Sequence, residues 1–203
     1  MKNKLEIFLD KKAYEGGRAI EKYFEIKDGY LTVFYQAHAA VRLPIRGVFD
    51  RDLETEEAAY FSLMSWSLGK LSQADRYTFA KLSNGVYELE ARKGSHYAGS
   101  IKSITDENEL SNAKHMFKQF DNLFDAKFYA DVTVNKFGVV TKTLVDVCKF
   151  LNWKSVMFGT HNSHSDAKIP DVLYTSKPIT LSNPDPIENK GVTCFIMPIV
   201  PTF

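Results

Sequence analysis

Short apolar runs separated by polar turns fill the first half of the chain. Leu5–Leu9, bounded by charge, predicts a strand, and the glycine pair Gly16-Gly17 after it marks a turn. Tyr23–Ile26 and Tyr30–Tyr35 flank Lys27-Asp28-Gly29, and Asp-Gly between apolar runs predicts a hairpin. Val41–Ile45 alternates, and Pro44 puts it at a sheet edge or a strand end. The acidic stretch 50–57 reads as a solvated connector. Ala59–Leu63 then predicts a strand, and Met64, Leu68 and Leu71 mark one side of a short helix. Tyr77–Leu82 and Val86–Ala91, joined by Ser83-Asn84-Gly85, predict a second hairpin. A turn at 92–95 leads into a strand over His96–Ile104.

Helical spacing appears past Thr105-Asp106-Glu107-Asn108, a polar break that divides the chain into domains at 1–105 and 106–203. Ser111 or Asn112 caps a helix whose apolar stripe is Ala113, Phe117, Phe120 and Phe124, with Lys114 and Lys118 to its side. Phe128–Val134 reads as a strand. Asn135 caps a second helix with the stripe Val140, Leu144, Val147 and Leu151. At about 100° per residue, Lys142 and Lys149 fall almost opposite that stripe. Strands at Val156–Gly159, near 172–176, at Pro178–Leu181 and at Val192–Ile199 complete the chain. Strand, helix and further strands thus occur twice in the same order, which predicts a duplicated domain. The fold class expected is α+β: two similar domains of antiparallel sheet packed on helices.

Composition narrows the picture. The 203 residues are 44% hydrophobic and 25% charged, with 26 Lys+Arg against 25 Asp+Glu. Such a chain fits one medium or two small globular domains and is too apolar for general disorder. Balanced charge excludes a globally basic nucleic-acid coat but leaves room for a local basic face. No apolar run reaches the ~18 residues of a membrane span, and Met1–Lys12 lacks the apolar region and cleavage site of a signal peptide. Cys148 and Cys194 cannot make a disulfide framework and read as reduced core residues of a cytoplasmic protein.

Candidate chemistry is sparse. His161, His164 and Asp166 are metal-ligand residue types placed after a predicted strand. Their spacing differs from the HxHxDH run of metallo-hydrolases and the last histidine is missing, so a polar loop is the preferred reading. A nucleophile elbow, a P-loop and a dinucleotide fingerprint are missing. Asp75, Asp121, Asp125 and Asp131 show no spacing that demands a carboxylate site. The expectation is a protein that is not an enzyme and holds no cofactor or metal. Lys114, Lys118, Lys142 and Lys149 are of the type that meets phosphates without regard to base sequence.

The segment Thr193-Cys194-Phe195-Ile196-Met197-Pro198-Ile199, with Val200–Phe203 after it, resembles the closing strand of the DNA polymerase III beta subunit family, the bacterial sliding clamps. That family ends in a hydrophobic strand, Met-Pro, an apolar residue and a short tail. Lys177-Pro178-Ile179-Thr180-Leu181 is similar to the family's P-I-x-I strand. Gly29 to Ile45 resembles its dG-x-L-x-l hairpin and the v-x-l-P that follows, and residues 59–104 resemble its strand, helix and three-strand continuation. The likeness lies in order and spacing more than in any single residue. The chain departs from the pattern in having little room for a first helix before residue 23, few strands around 124–134, and space for two domains in place of three.

The resemblance implies a short, two-domain sliding clamp of viral or plasmid type, a processivity factor for DNA replication. It implies a homo-oligomeric, trimeric ring around duplex DNA, with Lys114, Lys118, Lys142 and Lys149 on inner helices facing the backbone. It also implies a hydrophobic pocket at Phe195, Ile196, Met197, Pro198 and Ile199 that takes short linear motifs of a DNA polymerase and a clamp loader. Pro198 would end that strand or put it at an edge, where an extended peptide can dock. No membrane partner is expected. The alternatives are a clamp-like viral interaction protein that inhibits or diverts a host factor, favoured by lysines spread over the surface, and a metal-dependent hydrolase using His161, His164 and Asp166.

Overall fold

Between Lys27 and Tyr30 the chain must reverse in two residues, and Asp28 and Gly29 do so at φ of 51° and 76°. Two consecutive left-handed residues make the hairpin turn whose twist matches the flanking strands, and Asp-Gly reaches it with little strain. The computed structural model describes residues 5, 22–35, 39–45, 58–68, 71, 74–125, 139–160, 179–187 and 190–196. The strands are β1 (Tyr23–Lys27), β2 (Tyr30–Tyr35), β3 (Ala39–Pro44), β4 (Ala59–Ser62), β5 (Arg76–Lys81), β6 (Tyr87–Lys93), β7 (His96–Lys102), β8 (Met157–Thr160), β9 (Ile179–Ser182) and β10 (Thr193–Ile196). The helices are α1 (Leu63–Leu68), α2 (Glu107–Asp125) and α3 (Thr141–Leu151).

Among the described residues, seven strands form one antiparallel sheet in the order β4-β1-β2-β3-β10-β9-β8, and β5-β6-β7 form a second. The first sheet joins both halves of the sequence through β3 and β10, which pair Val41 with Cys194 and Ala39 with Ile196. A helix followed by a three-strand meander occurs twice, α1 before β5–β7 and α3 before β8–β10. The proposed domain boundary at 105/106 falls between β7 and α2.

Alternation along the strands gives the large sheet two different faces. Phe24, Ile26, Leu31, Val33, Val41 and Phe61 point to one side. There they form the main core with Trp66 of α1, Val147 and Leu151 of α3, and Leu89 and Ile101 of the second sheet. Trp66 stacks on Tyr77 at 5.4 Å and meets Phe24 edge-on at 6.0 Å. On the other side Tyr23, Phe34, Ala40 and Tyr60 pack under Ala113 and Phe117 of α2. The Phe117 ring sits 5.0 Å from Phe34 and 5.5 Å from Tyr60. The two helices that carry the predicted lysines therefore cover opposite faces of the sheet.

Several boundaries differ from the sequence pattern for physical reasons. Helix α2 starts at Glu107, ahead of Ser111 and Asn112, because the Glu109 N–H donates to the Asp106 carboxylate at 2.9 Å and opens the helix there. The polar break is thus the first turn of the helix, with Glu107 and Glu109 at its positive end. In α1 the inward side is Leu63 and Trp66, not Met64, since the helix starts at once after β4 and Ser62 accepts the Ser65 N–H at 3.2 Å. Helix α3 buries Thr143, Val147, Phe150 and Leu151, and stops where Asn152 turns left-handed at φ 59°. Of the predicted strand Leu5–Leu9 only Leu5 is described, buried in the main core, the predicted strands at 128–134 and near 172–176 and the Asn135 cap lie outside the described residues, and of Phe120 and Phe124 only the backbone is described.

Phe117 is 2% exposed and is the largest apolar group among the described side chains that α2 sets against the sheet. Phe117→Ala removes that contact and leaves a cavity, so it should lower unfolding stability by about 3–5 kcal/mol. Urea unfolding followed by fluorescence checks this as a lower midpoint at unchanged slope.

Candidate functional site

Each of the four predicted lysines ends in solvent. Lys114 and Lys118 are exposed on α2, one turn apart. Lys142 and Lys149 are exposed on α3, away from its buried side. Lys142 donates to Asp146 at 2.7 Å in an i, i+4 pair, so part of its charge is answered on its own helix. Lys149 stands beside Val145 and Lys154 at a shallow hollow of about 430 Å³. The fold keeps each pair together and does not bring the two pairs onto one face, because α2 and α3 pack on opposite sides of the sheet.

The predicted peptide pocket is divided. Phe195 and Ile196 lie in β10 and are 2% and 0% exposed. That strand is paired on both sides, with β3 and β9, so over Thr193–Ile196 it is interior to the sheet and not at an edge. The Pro198 argument for an edge does not hold there. Met197, Pro198 and Ile199 lie outside the described residues, as do His161, His164 and Asp166. The described residues contain no group of three or more His, Cys, Asp or Glu set to hold a metal ion. Cys148 and Cys194 are free thiols, and burial pushes both pKa values up, which favours the inert protonated form.

The structure assembles a polar site that the sequence pattern does not announce. Glu25 of β1, Arg42 of β3 and Asp121 of α2 meet on the face covered by α2. Asp121 accepts from Arg42 Nη2 at 2.8 Å and from Lys27 Nζ at 3.4 Å. Arg42 also donates from Nε to Thr32 Oγ1 at 3.1 Å. These bonds fix the later turns of α2 to three adjacent strands. Glu25 is 2% exposed and takes a hydrogen bond from the Tyr60 hydroxyl, yet its Oε1 has no partner. A buried acceptor left without a donor costs about 1–3 kcal/mol.

The site opens into a cavity of about 410 Å³ between α2 and the strand ends. Gly191 closes one side at φ 71°, where an added Cβ would stand 2.7 Å from Pro44 Cγ. Burial raises the Glu25 pKa, Asp121 raises it further, and the Tyr60 hydrogen bond with Lys27 and Arg42 pulls it back. Tyr60 is pushed up by burial first and by Glu25 second. In sequence, Glu25 lies within the apolar run Tyr23–Ile26 and draws no attention of its own. The helix that covers it lies more than eighty residues on, with Tyr23 to Glu109 spanning 86 positions.

No protein-family model matches the sequence, and no curated protein matches it. A chain in the crystal structure of the PCNA2-PCNA3 complex from Sulfolobus tokodaii is similar in outline, at TM-score 0.40 and 9% sequence identity over 98% of this chain and 97% of that one.

The raised Glu25 pKa has a definite sign in stability. The folded state holds the proton more tightly than the unfolded chain, whose value is near 4.5. The contribution of Glu25 is therefore fully present below that value and is lost as pH rises through the raised one. Glu25→Gln removes this loss. Its melting temperature relative to wild type should climb between pH 4 and neutral, as read by calorimetry across that range in one buffer ionic strength.

Proposed function

We propose that this chain is a clamp-like scaffold, a processivity factor that assembles into a ring, tracks duplex DNA and tethers a DNA polymerase. It does no chemistry itself. The observation that supports the reading most is the seven-stranded sheet, which ties both halves of the chain together and leaves β4 and β8 each with a single strand partner among the described residues. Sheet edges are templates for pairing with another chain, and a closed ring of subunits removes them. The β8 edge carries Met157 at 50% and Phe158 at 42% exposure, an apolar margin suited to burial between copies. A ring holds DNA by topology, so a few salt-sensitive lysine contacts suffice and a net charge of +1 is no obstacle. Polymerase and loader motifs would dock at Met197, Pro198 and Ile199, past the buried Phe195 and Ile196.

A second reading draws support from the lysines. With Lys114 and Lys118 on one side of the sheet and Lys142 and Lys149 on the other, one monomer offers no single basic surface from all four. That arrangement favours an interaction protein of clamp-like architecture which binds a host factor.

Light scattering on a size-exclusion column separates the two. A closed oligomer, a trimer above all, is expected over a concentration series, and a monomer that persists at high concentration would put the interaction protein first. Lys142→Glu with Lys149→Glu should then weaken duplex DNA binding at low salt and reduce the slope of log affinity against log salt by about 1 per lysine. The fold should be kept, since both side chains are exposed. Unchanged binding and slope would remove α3 from the DNA face.

A further inference from the structure

At the end of α3 the chain turns back on itself. Asn152 takes φ 59°, Trp153 is buried, and residues 152–156 lead from the helix into β8. Between this return and the later turns of α3 lies a hollow of about 430 Å³. Leu144, Val145, Trp153 and Val156 give it apolar walls, and Val145 is 42% exposed. Lys149 and Lys154 line it as well, and both are exposed.

Positive charge is in excess at this hollow. No acidic residue lines it, and none occurs from Val147 to Thr160. Asp146 of α3 accepts from Lys142 at 2.7 Å, and Asp185, past the end of β9, accepts from the Ile187 N–H at 2.8 Å. Neither of them lines the hollow. Capping does not account for the two lysines. The Asn152 and Trp153 N–H groups already donate to the Lys149 and Cys148 carbonyls, at 3.4 and 2.9 Å. The helix dipole favours a cation in the last turn, which explains Lys149 but not Lys154, beyond the helix.

These features select among occupants. A plain polyanion such as duplex DNA would use the lysines and leave the apolar walls wet. A small apolar ligand would leave both charges unanswered and, in so shallow a hollow, most of its own surface in water. A basic segment would meet like charges. An acidic segment with one large aliphatic side chain answers the charges and the walls together. We propose that this hollow docks an acidic segment of a partner polypeptide, whose aliphatic side chain enters between α3 and residues 152–156 while flanking carboxylates meet Lys149 and Lys154. Such docking requires neither a ring nor DNA, so native mass and DNA affinity leave it untouched.

The test is a titration of the full-length, 15N-labelled chain at low, fixed ionic strength, followed by amide chemical shifts. The probes are the capped peptides acetyl-Asp-Glu-Leu-Glu-Asp-amide, its counterpart with Gly for Leu, and acetyl-Lys-Lys-Leu-Lys-Lys-amide. Saturable shifts at Val145, Lys149, Trp153 and Ser155 are expected with the acidic leucine peptide, and none with the basic one. The glycine peptide should bind several-fold more weakly. Lys149→Glu with Lys154→Glu should weaken binding of the leucine peptide about tenfold or more. Should that variant fail to fold, Val145→Asp at the exposed wall should weaken it several-fold. Equal binding of the glycine peptide would mean that the lysines take any polyanion, duplex DNA included, and would overturn the proposal. So would equal binding by the charge-reversed variant, or no saturable shift with the leucine peptide. Shifts at the same residues on dilution of the protein alone, with no response to peptide, would give the hollow to a second copy of this chain and overturn it too.

Discussion

The pairing of β3 with β10 is the contact on which the remaining architecture depends. Without it, β4-β1-β2-β3 and β10-β9-β8 would be separate small sheets with four edges between them. With it, Val41, Cys194 and Leu181 fall in one row across the strands, and their side of the sheet becomes a continuous apolar floor. Helices α1 and α3 and the second sheet all pack on that floor. The opposite side is then free to be mixed in character, with aromatic packing under the first half of α2 and charge under the second. Among the described residues two edges remain, β4 and β8, and they lie at opposite ends of the sheet. The merging of the two halves and the position of the remaining edges are thus consequences of one ladder.

Local features were readable in the sequence and distant ones were not. The hairpins at Asp28-Gly29 and Asn84-Gly85 follow from turn chemistry carried in a few adjacent residues, and the structure has both, with Gly85 at φ 79°. Ala113 and Phe117 were visible as an inward stripe because helical periodicity is also local. Which strand ends up interior was not visible. Pro198 suggested that the last strand ends or lies at an edge, but while β9 is its neighbour in sequence, β3 comes from about 150 residues earlier, and together they enclose Thr193–Ile196. The start of α2 was missed because four polar residues read as a break, although Asp106 and Glu109 have the spacing of a helix cap.

The candidate site shows the same limit more sharply. Glu25 lay within an apolar run that marked β1 and drew no attention of its own, because a strand pattern cannot say what covers the strand's polar side. Asp121 carried no visible role in sequence for the same reason. Its importance comes from Lys27 and Arg42, which reach it from two strands that precede it by 94 and 79 residues.

Stability alone gives little reason for a carboxylate at Glu25. The Arg42–Asp121–Lys27 bonds fasten α2 to the sheet without it. An amide would still accept from Tyr60 with no buried charge, and an apolar residue would pack against the rings nearby. Buried charges are costly unless fully paired, and replacing them with apolar groups is often neutral or favourable. Glu25 is therefore a residue that the fold tolerates and does not require. The residue borders the cavity beside Arg42 and Asp121, while its unpartnered oxygen is itself closed off from solvent.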